Sequence, residues 1–241
     1  MNIQVVHNYE QLCEMAAYIV ASQIITDPNS VIGTASGSTV LGVYNGLVEL
    51  YEAGHVDFSK VKLFNLDEFY GLDKHHEQSR YNLIKANLVD RINMPLENFN
   101  LPCGTAEEVF PECKRYEKLI DHTGGIDLQL LGIGVNGHIG FNEPSDYFAP
   151  YTYLVELSES TRSSNVSFFG HISEVPTKAY SVGIGTIMRA GNILLIAEGE
   201  DKAWAIKEMI QKRVTPQIPA SILQFHDNVT VLIDEAAASM L

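Results

Sequence analysis

The chain has 241 residues, 46 % hydrophobic and 19 % charged, a balance that builds a sizeable core and excludes an intrinsically disordered protein. Sixteen Lys and Arg against thirty Asp and Glu leave a net charge of −14, which argues against a nucleic-acid partner, since phosphate contacts need clustered cations. No apolar run nears the roughly 20 residues of a membrane span, no basic-then-apolar leader opens the chain, and Cys13, Cys103 and Cys113 lack C-x-x-C spacing, so a cytoplasmic location is expected.

In chain order, Asn8 is placed to cap a helix whose Leu12, Met15, Ala16, Ile19 and Val20 recur at spacings of three and four. Residues 30–33 read as a strand, and Val40, Val43, Tyr44 and Leu47 as the buried stripe of the helix that follows. A second strand is read at 61–65. Val109, Cys113, Tyr116 and Ile120 give another helical stripe, leading into a strand at 127–132. The runs 151–157 and 180–184 are β-like but flank a Ser-rich stretch, and are expected to leave the main sheet. A strand at 192–197, a helix carrying Ala203, Ile206 and Ile210, and a strand at 228–234 complete the pattern. Most strands are nearly continuously apolar, as when helices cover both faces of a parallel sheet. With no repeat or linker visible, the expectation is one α/β domain over 1–241: an open, doubly wound, mostly parallel, Rossmann-like sheet flanked by helices.

Ligands of such sheets bind beyond the carboxyl ends of the strands, and three strand ends carry chemistry. Gly-Thr-Ala-Ser-Gly-Ser-Thr at 33–39 opens a helix with small, hydroxyl-bearing residues, as an anion cradle does, but also as an ordinary capped turn does. It has neither the Lys of a P-loop nor G-x-G-x-x-G spacing. Asp67 and Glu68 follow the second strand and face opposite sides if it continues. One is then placed to act as a base in a cleft while the other meets a cation; the alternative is two solvated loop charges. The Gly-rich exit at 132–144 presents Asn136, His138 and Glu143. A Glu accepting from an imidazole N–H would fix the tautomer and free the other nitrogen for proton transfer, whereas a purely structural His is the alternative. His138 and Glu143 lack helical metal-ligand spacing and no Cys or His joins them, so no metal is expected. There is no G-x-S-x-G elbow. His75 and His76 read as solvated surface, and Trp204 as core or rim.

Together, N-L-D-E-F-Y-G-L at 65–72, G-I-G-V-N-G-H-I-G-F-N-E-P at 132–144 and the 33–39 loop resemble the glucosamine-6-phosphate deaminase family. The likeness runs on through 180–186, 199–203 and 219–230, in order over nearly the whole chain. It implies conversion of an amino sugar 6-phosphate and water to a ketose 6-phosphate and ammonia, with no redox cofactor. By that resemblance His138 opens the pyranose ring, Asn136 and Glu143 orient it, and Asp67 moves the proton from C2 to C1. Ser36, Gly37, Ser38 and Thr39 take the phosphate, with Lys202 supplying charge.

The chain departs from the family pattern at several positions. Asn136 stands where many members have Asp, Ser167 where a second phosphate-binding Arg is expected, and Ser36 and Val40 where Thr and Pro are frequent. Arg162 lies close to the vacated position. These differences surround the sugar and phosphate, which keeps galactosamine 6-phosphate as an alternative substrate. A lactonase of the related 6-phosphogluconolactonases needs no C–H base, and a sugar-phosphate sensor is usually attached to a DNA-binding domain, for which neither room nor a basic helix is expected. The resemblance is to short members, implying a monomer or small homo-oligomer without allosteric control.

Overall fold

Nearly unbroken apolar strands can hide both faces only in the middle of a layered structure, and the computed structural model, which describes Met1–Leu241, puts them there. An edge strand β1 (Asn2–Val6) leads to α1 (Tyr9–Thr26), where the Asn8 side chain accepts from Gln11 N–H at 3.0 Å. Then come β2 (Val31–Thr34), α2 (Val40–Glu52), β3 (Lys62–Asn65), β4 (Asp67–Phe69), α3 (Arg80–Asn87), β5 (Phe99–Asn100), α4 (Val109–His122) and β6 (Leu128–Leu131). The excursion follows as β7 (Tyr153–Glu156), α5 (Glu159–Ser164), α6 (Val166–Phe169) and β8 (Lys178–Ser181). The chain closes with α7 (Ile184–Ile187), β9 (Asn192–Ala197), α8 (Ala203–Gln211) and β10 (Val229–Asp234).

Seven strands pair in the order β1-β10-β9-β6-β2-β3-β5, every neighbour parallel. The sheet is the expected doubly wound one. From β2 the chain builds outward through β3 and β5, then returns to lay β6 on the other side of β2. That reversal opens a crevice beyond the carboxyl ends of β2 and β6. The runs near 151 and 180 do leave this sheet: β7 and β8 pair antiparallel, with β4 as the third strand. The small sheet has a separate apolar cluster of Phe69, Phe141, Val155, Leu157 and Ala179, so it packs as a cover rather than an extension of the main core.

Several elements carried no signal that periodicity could detect, among them the short helices α3, α5, α6 and α7. β1 is an edge strand with Ile3 and Val5 exposed, and β4 and β5 are too short for alternation to register. The strand read at 180–184 starts earlier and ends at Ser181; the apolar residues after it, Ile184 and Ile187, are buried from a helical turn. His75 and His76 are exposed, and Trp204 is 45 % exposed at the rim. No helix is long and apolar enough to cross a membrane.

Candidate active site

The loop between β2 and α2 is held from behind. The Tyr44 hydroxyl donates to the Ala35 carbonyl, and that of Tyr9 donates to Thr39 O at 3.1 Å while accepting from Gly42 N–H at 3.1 Å. So fixed, Ser36, Gly37, Ser38 and Thr39 line one cleft with Val40 at the start of α2, where the helix dipole presents its positive end. Thr39 Oγ1 also reaches Glu198 Oε1 at 3.4 Å. Ser36 turns sideways, and its hydroxyl donates to Asp67 Oδ1 at 2.8 Å.

Asp67 and Glu68 open β4, and the alternation of the strand sends them to opposite sides. Asp67 faces the cleft and is 5 % exposed. Burial pushes its carboxyl above the ordinary range, opposed by the Arg80 guanidinium and the Ser36 hydroxyl. Glu68 points away, accepting from the N–H groups of Phe69 at 2.8 Å, Arg80 at 3.0 Å and Tyr81 at 3.0 Å. It caps the start of α3, and burial pushes its carboxyl up to about 7. Neither is a solvated loop charge. The division of labour differs from the expected one, because the carboxylate in the cleft is also the one beside a cation.

On the other wall, backbone shape positions His138. A Cβ at Gly134 would fall 2.1 Å from Cε1 of the imidazole, and Gly137 takes φ +83°, a left-handed turn that favours glycine. The ring therefore lies directly over its own loop. Asn136 Oδ1 sits 2.7 Å from His138 Nδ1, and Asn136 Nδ2 donates to Glu143 Oε2 at 3.0 Å. Glu143 Oε1 in turn accepts from Ser158 N–H at 3.1 Å. Glu143 is thus one step removed from the imidazole: its Oε2 lies 3.9 Å from Nδ1, beyond hydrogen-bond range, with the amide between. Asn136 offers only its oxygen to the ring, so the network assigns the proton to Nδ1 and a lone pair to Nε2, which has no partner within the chain. Burial lowers the pKa of His138, Lys202 lowers it further and Glu143 opposes both, which favours neutral imidazole near pH 7.

The family model described as glucosamine-6-phosphate isomerases/6-phosphogluconolactonase matches residues 7–232. This chain belongs to that family. It is 52 % identical over 241 residues to a glucosamine-6-phosphate deaminase of Clostridium novyi (strain NT), covering 100 % of both chains. A solved structure of a monomeric glucosamine-6-phosphate deaminase superposes with a TM-score of 0.98 at 39 % identity, again over 100 % of both chains. A 6-phosphogluconolactonase from Trypanosoma cruzi has the same fold at TM-score 0.78, with 19 % identity over 100 % of this chain and 96 % of that one.

Within this glucosamine-6-phosphate isomerase/6-phosphogluconolactonase fold, all nine residues singled out in the sequence fall in one neighbourhood. Seven of them line the cleft directly: Ser36, Gly37, Ser38, Thr39, Asp67, His138 and Lys202. Asn136 and Glu143 stand behind His138. Lys202 reaches the cleft from the turn before α8, its Nζ 3.0 Å from Asp201 Oδ2. Arg162 is engaged elsewhere: its Nη2 donates to the carbonyls of Ile172 at 2.7 Å and Val175 at 3.3 Å. Sequence reasoning missed Arg80, which is 4 % exposed and lines the same cleft. It sits in a polar stretch that reads as surface; the one available signal was that a buried carboxylate calls for a cation.

Proposed function

We propose that this chain converts glucosamine 6-phosphate and water to fructose 6-phosphate and ammonia. One observation carries the reading: a buried carboxylate, Asp67, and a neutral, oriented imidazole, His138, line a single cleft. A lactone hydrolase has no use for a desolvated C–H base, whereas isomerisation of an aldose requires one. The 52 % identity to a curated deaminase supports the same reaction and does not favour the galactosamine isomer.

His138 Nε2 takes the anomeric hydroxyl proton and protonates the ring oxygen, opening the pyranose to the aldehyde. Its Nδ1–H stays on Asn136, which Glu143 holds in orientation. Asp67 then removes the proton from C2 and delivers one to C1, leaving an imine at C2. Water adds to that carbon, and ammonia leaves. Ser36, Gly37, Ser38 and Thr39 with the α2 N-terminus receive the 6-phosphate, and Lys202 neutralises part of its charge. A free thiol at each cysteine, with Cys103 exposed, fits action in the cytoplasm, and likeness to a monomeric deaminase favours a monomer.

The test is ammonia release coupled to ketose 6-phosphate formation, from glucosamine and galactosamine 6-phosphates in parallel. The glucosamine isomer is expected to be the better substrate. Folded protein that releases ammonia from neither overturns the reading.

A further inference from the structure

Arg80 is an unusual residue to hide. A guanidinium offers five N–H donors and stays charged under all ordinary conditions. Here it is 4 % exposed, with aromatic rings on several sides: Phe69 at 4.5 Å, Phe141 at 5.7 Å and Phe168 at 5.7 Å from ring centroid to Cζ. Nη1 donates to Ser36 O at 3.3 Å and Nη2 to Asn165 Oδ1 at 2.7 Å, while Nε has no hydrogen-bond partner. The nearest anion, Asp67 Oδ1, is 3.7 Å from Nε, too far for a hydrogen bond. Such a buried charge is only partly compensated by the chain itself.

The cleft also lacks positive charge for its proposed cargo. A phosphate monoester carries close to two negative charges near neutrality, and the protein around it has a net charge of −14. Lys202 shares its charge with Asp201, Arg162 is tied to backbone carbonyls away from the cleft, and Ser167 is exposed and uncharged. The other cation in the cleft lining is Arg80. Its guanidinium is bonded to the carbonyl of Ser36, the residue that begins the proposed phosphate loop.

We propose that Arg80 is the second cation of the phosphate subsite, binding the substrate's phosphate together with Lys202. The inference rests on the sugar-phosphate reading above and adds to it a residue from a different element. Asn165 and the three rings hold the planar fork in place before substrate arrives, so little side-chain freedom is lost on binding. The same guanidinium remains beside Asp67, which couples occupation of the phosphate subsite to the electrostatics of the base.

The probe is a hexitol 6-phosphate, which has no carbonyl carbon and cannot react. Calorimetric titration of Arg80→Gln is expected to show about 10- to 100-fold weaker binding than wild type, and Arg80→Lys an intermediate loss because a point charge replaces the fork. Inorganic phosphate should raise the melting temperature of wild type more than that of either variant. Unchanged hexitol phosphate affinity in folded Arg80→Gln, with kcat reduced and its pH profile displaced, overturns the proposal and leaves Arg80 acting on Asp67 alone. If the variants do not fold, a structure of wild type with the hexitol phosphate decides. A guanidinium nitrogen about 3 Å from a phosphate oxygen supports the assignment; a phosphate held by Lys202 and the 36–39 loop alone overturns it. Affinity, thermal shift and the bound structure are read without turnover, so silence in the ammonia assay with intact hexitol phosphate binding would remove the proposed reaction and leave this inference standing.

Discussion

The two walls of the cleft are built in different ways. The His138 wall is mostly local: Asn136, His138 and Glu143 come from one loop, and glycines at 134 and 137 shape the backbone so that the ring lies over it, with Ser158 and Thr161 of the excursion as the added contacts. The Asp67 wall is assembled from distant segments, with Ser36 from the loop after β2, Arg80 from α3, Phe141 from the loop after β6, and Asn165 and Phe168 from the excursion. A proton shuttle needs an oriented ring and modest shielding, which one loop can supply. A carboxylate that removes a proton from carbon needs desolvation, and desolvation takes walls from several elements at once.

That contrast can be broken at either wall. The largest effect is expected for Asp67→Asn, which keeps the shape and the Ser36 contact but removes the base. Turnover should fall by about 10⁴-fold, at the upper end of what a general base contributes, while titration with hexitol 6-phosphate stays close to wild type. Turnover near wild type would remove Asp67 from the mechanism. At the other wall, His138→Gln is expected to cost about 10²-fold with the cyclic sugar and less with an open-chain analogue that has no ring to open. Equal losses with both substrates, measured as kcat/KM, would place His138 outside ring opening.

The smallest effect concerns Glu68 and sharpens the difference between adjacent carboxylates. Glu68→Gln can still accept from Phe69 and Arg80 but turns an amide toward the Tyr81 N–H, a loss of about 1–3 kcal/mol at pH 5. With its carboxyl pushed up to about 7 from an ordinary 4.5, folded wild type holds a proton that the unfolded chain has released. Its contribution to stability therefore declines as pH climbs between those values, by a total on the order of 3 kcal/mol. The variant lacks this decline, so its deficit in thermal or urea unfolding should shrink from pH 5 to pH 8. A deficit that is constant with pH would mean that burial does not shift Glu68.

The doubly wound sheet was legible in the sequence because its signals are short-range, whereas the roles of Asn136, His138 and Glu143 came from the family resemblance. Continuous apolar strands, helical stripes such as Val40, Val43, Tyr44 and Leu47, and a glycine-rich strand exit act within a few residues of one another. Even the departure of β7 and β8 from the main sheet was signalled by the Ser-rich stretch between them. Three things were decided only by tertiary structure. The amide of Asn136 separates Glu143 from the imidazole, because loop curvature fixes which side chain arrives first. Glu68 became a helix cap and Asp67 the cleft carboxylate, because the chain turns into β4 at that point. Arg80 entered the cleft because α3 packs against β4, with Asn165 and Phe168 of the excursion meeting its guanidinium. A residue's neighbours along the chain determine its conformation; which charges share a buried space depends on how the elements pack.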